Sequence, residues 1–268
     1  MPGALTRHYI QLVRERVAAW PAEPDMGDVN ELLRALNRWR ARVLANTFLA
    51  REGARILNGP FAGMAYVTQA TEGALVPRLL GTYESELHPY LAAFAKAGLD
   101  AVIDVGCAEG YYAVGIARAM PEVTVYAHDI DERARAACAD LAAKNGVAER
   151  VVIGGEFKPQ DFAAHAGKRV LVMVDAEGAE LDILEPVPAL AGMNIIVETH
   201  DIIRPGARAT LMQRFGPTHD IVRVDQQAKV LDYPWWLKDL PHLDQLLAVW
   251  EWRAGPTPWL VMTPKAAA

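Results

Sequence analysis

The sequence predicts an α/β fold: a doubly wound, mostly parallel seven-stranded sheet with an N-terminal helical extension and a Trp-rich helical insertion before the last strand. Three observations predict it. Short β-rich runs recur after residue 100, and the first six end 21 to 26 residues apart. Helical stretches fill most of the gaps, which is the texture of strands joined by crossover helices. The runs are largely apolar, as strands covered on both faces must be.

The elements follow in order. Residues 1–98 form a mainly helical extension, a candidate for cap, substrate or oligomer contacts. Residues 5–19 and 28–50 carry apolar residues at helical spacing. In the second stretch Leu32, Leu33, Leu36, Trp39, Val43 and Leu44 share a face. The basic run Arg34, Arg38, Arg40, Arg42 reads as a solvated helix face, with anion binding as the alternative. ILNGPFAGMAYV (56–67) reads as a short hairpin or loop. A helix then starts near Thr82, as N-cap, and stops at Gly98. Residues 99–268 form the second unit. Its strands are AVIDV (101–105), VTVYAH (123–128), RVVI (150–153), RVLVMV (169–174), NIIVE (194–198), DIVRV (220–224) and WLVMT (259–263). The clearest helix, 131–145, ends at Asn145-Gly146, a good C-terminal cap. The insertion, 233–253, holds four of the seven tryptophans. Leu243, Leu246, Leu247 and Trp250 are expected to pack on the sheet. Trp235, Trp236, Trp250 and Trp252 either pack as well or form an aromatic lid.

Composition narrows the function. With 52% hydrophobic and 22% charged residues, 268 residues make a globular chain and not a disordered one. A net charge of −6 argues against a broad nucleic-acid surface. Cys107 and Cys138 form neither a disulfide framework nor a zinc motif. The longest uncharged stretch, between Arg55 and Glu72, contains Asn58, Gly59, Pro60 and Gln69 and is no membrane span. Arg14, Glu15 and Arg16 stand where a signal peptide needs an apolar centre. A cytoplasmic location with reduced thiols is expected.

The chemistry gathers at strand ends. The first strand runs into Asp104-Val105-Gly106-Cys107-Ala108-Glu109-Gly110, where small residues let a ligand approach the backbone. The spacing is neither G-x-G-x-x-G nor a phosphate loop. Asp129, at the end of the second strand, can accept both hydroxyls of a ribose. Together they describe an adenosine site without a diphosphate.

On these residues the chain resembles the class I S-adenosylmethionine-dependent methyltransferases, whose first motif reads [VI]-D-[VI]-G-x-x-x-G; the resemblance covers residues 99–225. It implies a Rossmann-like fold and a cofactor set of Asp104, Gly106, Cys107, Ala108 and Gly110, with Asp129 on the ribose. It also implies Glu156 at the adenine amino group and Phe157 at the adenine face, core packing being the alternative for Phe157. GTYESELHPYL (81–91), DAEGAELDIL (175–184) and ETH (198–200) resemble the FkbM-type methyltransferases, which are mostly O-methyltransferases of sugars and natural products. That resemblance implies Glu84 as a neighbour of the cofactor's amino group.

Asp175, Glu198 and His200 end the fourth and fifth strands. Asp175 and Glu198 would suit magnesium or a similar divalent cation, with no Lys or Arg in DAEGAE or ETHD to neutralise them. His200 would be the base or a further ligand; helix capping, cofactor orientation and backbone hydrogen bonding are the plain alternatives. His128 and His88 read as structural. The expected activity is O-methylation of a hydroxyl or carboxyl on a small molecule, with Asp175 and His200 catalytic. No nucleic-acid or membrane partner is expected, and a homo-oligomer is possible. A non-catalytic cofactor-binding or assembly module and a nicotinamide oxidoreductase are the alternatives.

Overall fold

The computed structural model describes residues 3–70, 73–229, 234–253 and 255–266; Tyr233, the first residue of the Trp-rich segment, lies outside them. The strands are β1 (Ala101–Val105), β2 (Thr124–His128), β3 (Val151–Gly154), β4 (Val170–Val174), β5 (Asn194–Glu198), β6 (His219–Val224) and β7 (Trp259–Pro264). Each lies within a residue or two of its predicted run. The sheet order is β3-β2-β1-β4-β5-β7-β6. β1 to β5 pair in parallel, and β7 enters antiparallel between β5 and β6. This is the expected doubly wound sheet, open at both edges.

Why these runs form strands is visible in their two faces. Along β1, β4 and β5 successive side chains alternate between two cores. Val102, Leu171, Met173 and Ile196 face one; Ile103, Val105, Val172, Val174, Ile195 and Val197 face the other. Both faces are covered, so every residue of β1 and β4 is buried.

Among the described residues four α-helices precede β1: α1 (Ala4–Ala18), α2 (Met26–Glu52), α3 (Leu75–Leu80) and α4 (His88–Ala97). α5 (Tyr111–Ala119) and α6 (Glu132–Lys144) cover the first face, together with residues of the preceding helices. α7 (Glu180–Ile183) and α8 (Ala207–Phe215) cover the second. α9 (Trp235–Lys238) and α10 (His242–Ala248) lie between β6 and β7. No helix among the described residues is long and apolar enough to cross a membrane.

Three helix details differ from expectation. α2 begins at a reciprocal capping box, Asp25 with Asp28, but its buried residues are Ala35, Ala41, Leu44, Ala45 and Phe48. Leu33 and Leu36 are 54% and 41% exposed: α1, α3 and α10 pack against α2, and four of its five buried residues lie from Ala41 onward. Thr82 caps no helix: its hydroxyl donates back to the Pro77 carbonyl, and α4 starts only at His88, after a 3₁₀ turn. Leu247 is buried in the core on the first face of the sheet and Trp250 packs against that core, but Leu243 and Leu246 are exposed; α10 also docks on α2, held by Arg40 on the Asp244 carboxylate at 2.5 and 2.6 Å. Arg40 is thereby a structural cation.

The loop predicted at 56–67 is a loop closed by one antiparallel bridge, Arg55 with Ala65. It drives Phe61 edge-on against Tyr111 and Tyr112 of α5. Gly115 of α5 makes the room: a Cβ there would lie 2.5 Å from Phe61 Cγ. Gly to Ala inside a helix ordinarily stabilises by roughly 1 kcal/mol. Here overpacking reverses the sign, and Gly115→Ala is expected to lose about 1–3 kcal/mol in urea unfolding. A gain in stability would show that Phe61 does not pack as described.

Candidate active site

The strand order reverses between β1 and β4, and ligands of such sheets bind beyond the C-terminal ends of the strands there. At that point Asp175 N–H donates to the Val105 carbonyl at 2.9 Å, and Gly106 turns with φ +86°. A Cβ on Gly106 would lie 1.8 Å from the Asp175 carbonyl oxygen. Only glycine lets the two strand ends meet. Gly110 caps α5 at φ +93°, and a Cβ there would lie 2.7 Å from Cys138 Sγ of α6. Gly110 thus keeps α6 close.

Two clefts adjoin at this corner and share Gly106, Asp175 and Glu177. The first, of about 480 Å³, includes Asp129, Ile130, Glu156 and Phe157. Asp129 is half-buried. One oxygen accepts the Ala108 N–H at 3.0 Å and the other the Asp131 N–H at 2.8 Å, leaving a lone pair on each for a ligand. Phe157 is buried, edge-on to His128 and Phe162. Glu156 is exposed and 3.4 Å from Lys158 Nζ. Ile130, which sequence reasoning passed over, is an 83% exposed aliphatic residue on this cleft, an apolar face open to a ring.

The second cleft, of about 320 Å³, includes Asp104, Cys107, Ala108, Glu198 and His200. Asp104 is buried and Asp104 Oδ2 has no partner. Burial, then Asp175 and Asp129, push its carboxyl up to about 7 against the pull of the Ala113 N–H. Asp175 Oδ1 is also buried without a hydrogen bond, and Asp175 is pushed up to about 7 by burial and by Glu84. A hydrogen bond with Cys138 and burial keep Cys107 a neutral thiol.

His200 is the centre of the acidic end. Its Nδ1 is 2.7 Å from Glu180 Oε1, which also accepts the Gly178 N–H at 2.9 Å. Its Nε2 is 3.4 Å from Glu177, 3.7 Å from Asp175 and 3.7 Å from Glu198. Burial alone would lower the imidazole pKa. The Glu180 hydrogen bond and the charge of Asp175 outweigh it, and the net shift is upward. Asp175, Glu198 and His200 offer ligand atoms within 4.8 Å of one another, a spacing that fits one cation. Glu198, however, is not left uncompensated as its local sequence suggests. Arg253, from the insertion, pairs with it, and Thr257 donates to the same oxygen at 2.6 Å.

Glu84 stands behind the cleft wall. It is fully buried, with one oxygen 2.7 Å from Arg253 and the other accepting the Tyr112 hydroxyl. Arg253 therefore joins Glu84, Glu198 and Glu251, three carboxylates far apart in sequence. Sequence reasoning missed Arg253, Tyr112 and Thr257, and gave Glu180 no role. For Glu180 the D-x-E-G-x-E spacing was a signal. For the others no local pattern exists.

No family model and no curated protein matches the chain. Similar solved structures include the cofactor-bound Rv0187 from MTB, 13% identical over 90% of this chain and 98% of that one, TM-score 0.47. An O-methyltransferase from Bacillus cereus in complex with SAH is 11% identical over 69% and 82%, TM-score 0.46. A precorrin-6y C5,15-methyltransferase from Geobacter metallireducens is 14% identical over 67% and 89%, TM-score 0.40. Scores below 0.5 at such identities carry nothing about this chain's function.

Asp104 makes the pH dependence testable. Its folded pKa, about 7, lies above the ordinary 3.8, so the folded state holds the proton more tightly. The stability this contributes is complete below about 4 and is lost as pH rises through about 7. Asp104→Asn, which cannot ionise, is expected to gain stability relative to the natural chain between pH 5 and pH 8. An unchanged difference across that range would place the carboxyl in an ordinary, solvated setting.

Proposed function

We propose that the protein is an S-adenosylmethionine-dependent methyltransferase, most simply an O-methyltransferase of the FkbM type that acts on a hydroxyl or carboxyl of a small molecule. The observation that supports it is the pair of clefts meeting at Gly106 and Asp175, one with a ribose-type acceptor, Asp129, and the other with an acid–base cluster around His200. One molecule spanning both, with an apolar base, a diol and a cationic amino-acid end, fits that pair.

The residues present fit the cofactor. Asp129 would take the ribose hydroxyls, with Ile130 and Phe157 beside the base and Glu156 at its rim. Gly106, Cys107 and Ala108 would line the methionine part. Buried oxygens without partners on Asp104 and Asp175 are acceptors placed for its cationic groups. Bound there, the cofactor supplies an electrophilic methyl on a sulfonium sulfur.

The chain's own task is to align the acceptor and remove its proton. His200 Nε2 faces the cleft and is the general base. Glu180 fixes the ring through Nδ1 and stabilises the imidazolium, as an acid–imidazole pair does. As the acceptor oxygen took the methyl that the cofactor would supply, leaving a neutral thioether, its proton would pass to His200 Nε2 and from there to solvent. Glu198, fixed by Arg253 and Thr257, and Asp175 hold the negative field that favours the imidazolium.

A second reading, metal assistance, is favoured by the spacing of Asp175, Glu198 and His200. In it the same three side chains would hold a magnesium-like cation that acidifies the acceptor. The Arg253 guanidinium on Glu198 weighs against it, because a cation there would compete with a fixed positive charge.

Calorimetry and labelled methyl transfer test these readings together. The natural chain is expected to bind S-adenosylhomocysteine and to ignore NADH; the reverse would move the protein to the oxidoreductases. In a screen of polyols, phenols and carboxylic acids, silence with tight S-adenosylhomocysteine binding would point to a non-catalytic module. Once an acceptor is found, His200→Ala is expected to lose roughly 10²–10⁴ in rate with cofactor affinity kept. Activity that survives EDTA excludes the metal reading; activity abolished by EDTA and restored by magnesium establishes it.

A further inference from the structure

One wall of the second cleft is not used by this chemistry. Trp252, from the insertion, lines it together with Asp175 and His200. Its backbone lies in the left-handed region at φ +66°, which a tryptophan enters only at a cost and which tends to mark ligand clamps. Its indole N–H is buried without an acceptor. Arg38 and Arg42, one turn apart on α2, hold their guanidinium carbons 5.6 and 5.9 Å from the indole ring centre. Both arginines are exposed, and neither makes an ion pair or a side-chain hydrogen bond among the described residues. Arg40 between them differs, being tied to Asp244. Arg38 lines the second cleft, whereas Arg42, with Trp252 and Gly73, lines a further cleft of about 370 Å³ against α2, so the two arginines flank Trp252 where the two spaces meet.

We infer that Arg38, Arg42 and the indole N–H of Trp252 form a docking site for an oxyanion, a carboxylate or a phosphate, carried by the methyl acceptor. The inference rests on the methyltransferase reading only for the word acceptor; the anion site stands on these three residues. A guanidinium stacked on an aromatic face keeps its N–H edge free, and that edge matches an oxyanion in a bidentate pair. The indole N–H, a donor with nothing to donate to, supplies a third contact. Electrostatics makes the site directional. Asp104, Asp175 and Glu177 make the chemical end acidic, Glu198 being paired with Arg253, and that end suits a sulfonium and repels an anion. An acceptor with a hydroxyl at one end and an oxyanion at the other is thereby turned so that the hydroxyl meets His200.

The test uses the full chain with three probes, 4-hydroxybenzoate, phenyl phosphate and neutral 4-hydroxybenzyl alcohol, titrated with and without saturating S-adenosylhomocysteine. At least one anion is expected to bind about tenfold or more tightly than the alcohol, and more weakly as salt rises. The stronger anion names the acceptor's group. The double variant Arg38→Gln/Arg42→Gln is expected to lose about tenfold or more in anion affinity, with affinity for the alcohol and for S-adenosylhomocysteine unchanged. Trp252→Phe, which keeps the ring and removes the N–H, is expected to lose part of it. Equal binding of anions and alcohol, or a double variant with full anion affinity, would overturn the site. So would a double variant that loses S-adenosylhomocysteine, since the arginines would then hold the cofactor. Failure of the methyltransferase reading shows separately, as a natural chain that binds no S-adenosylhomocysteine, and the anion titration without it still decides the site.

Discussion

The site depends on one close approach. Gly106 meets the carbonyl of Asp175 at a distance that leaves no place for a side chain. Because β1 and β4 are neighbours at the point where the sheet changes direction, this contact sets how their loops diverge. One loop turns toward Asp129 and the other toward Glu177 and Glu180. The two clefts are the spaces left on either side. Fixed backbone at the corner also keeps Asp175 close enough to the buried Asp104 to help push the Asp104 carboxyl up.

A second constraint ties the surrounding parts to that corner. Arg253 is a largely buried cation that would be costly without partners, and it has three: Glu84 ahead of the sheet, Glu198 at the end of β5 and Glu251 beside it in the insertion. Lys229 repeats the device with Glu86 and Glu251. Such pairs add little net stability, but each charge strands the others if it leaves. They therefore fix the positions of the insertion and of the segment before α4. That places Trp252 over the cleft and against α2. That wall of the second cleft is built by charge pairing across the chain more than by its own short helices.

How much of this was legible in the sequence follows from how local each cause is. The central strands were legible because burial on both faces makes β1, β4 and β5 apolar, and a run of five residues can be read by itself. Gly106 and Asp129 were legible because a turn and a strand end are local as well. The buried stripe of α2 was not: Leu33 and Leu36 are apolar, but the elements that select Leu44 and Phe48 instead come from elsewhere in the chain. The partner of Glu198 was not legible either, because Arg253 lies 55 residues away and reaches Glu84 across 169. The basic run on α2 shows the same limit within four residues. Arg40 is a structural cation and Arg38 is not, and only the position of Asp244 separates them.

The central claim is that one adenosine cofactor lies across both clefts, over Gly106. A crystal structure of the natural chain with S-adenosylhomocysteine tests it most directly. The account predicts the ribose hydroxyls on Asp129, the base beside Ile130 and Phe157, and the sulfur on the side of Gly106 that holds Asp175 and His200. A ligand bound within one cleft alone, or with its sulfur turned away from His200, would contradict it.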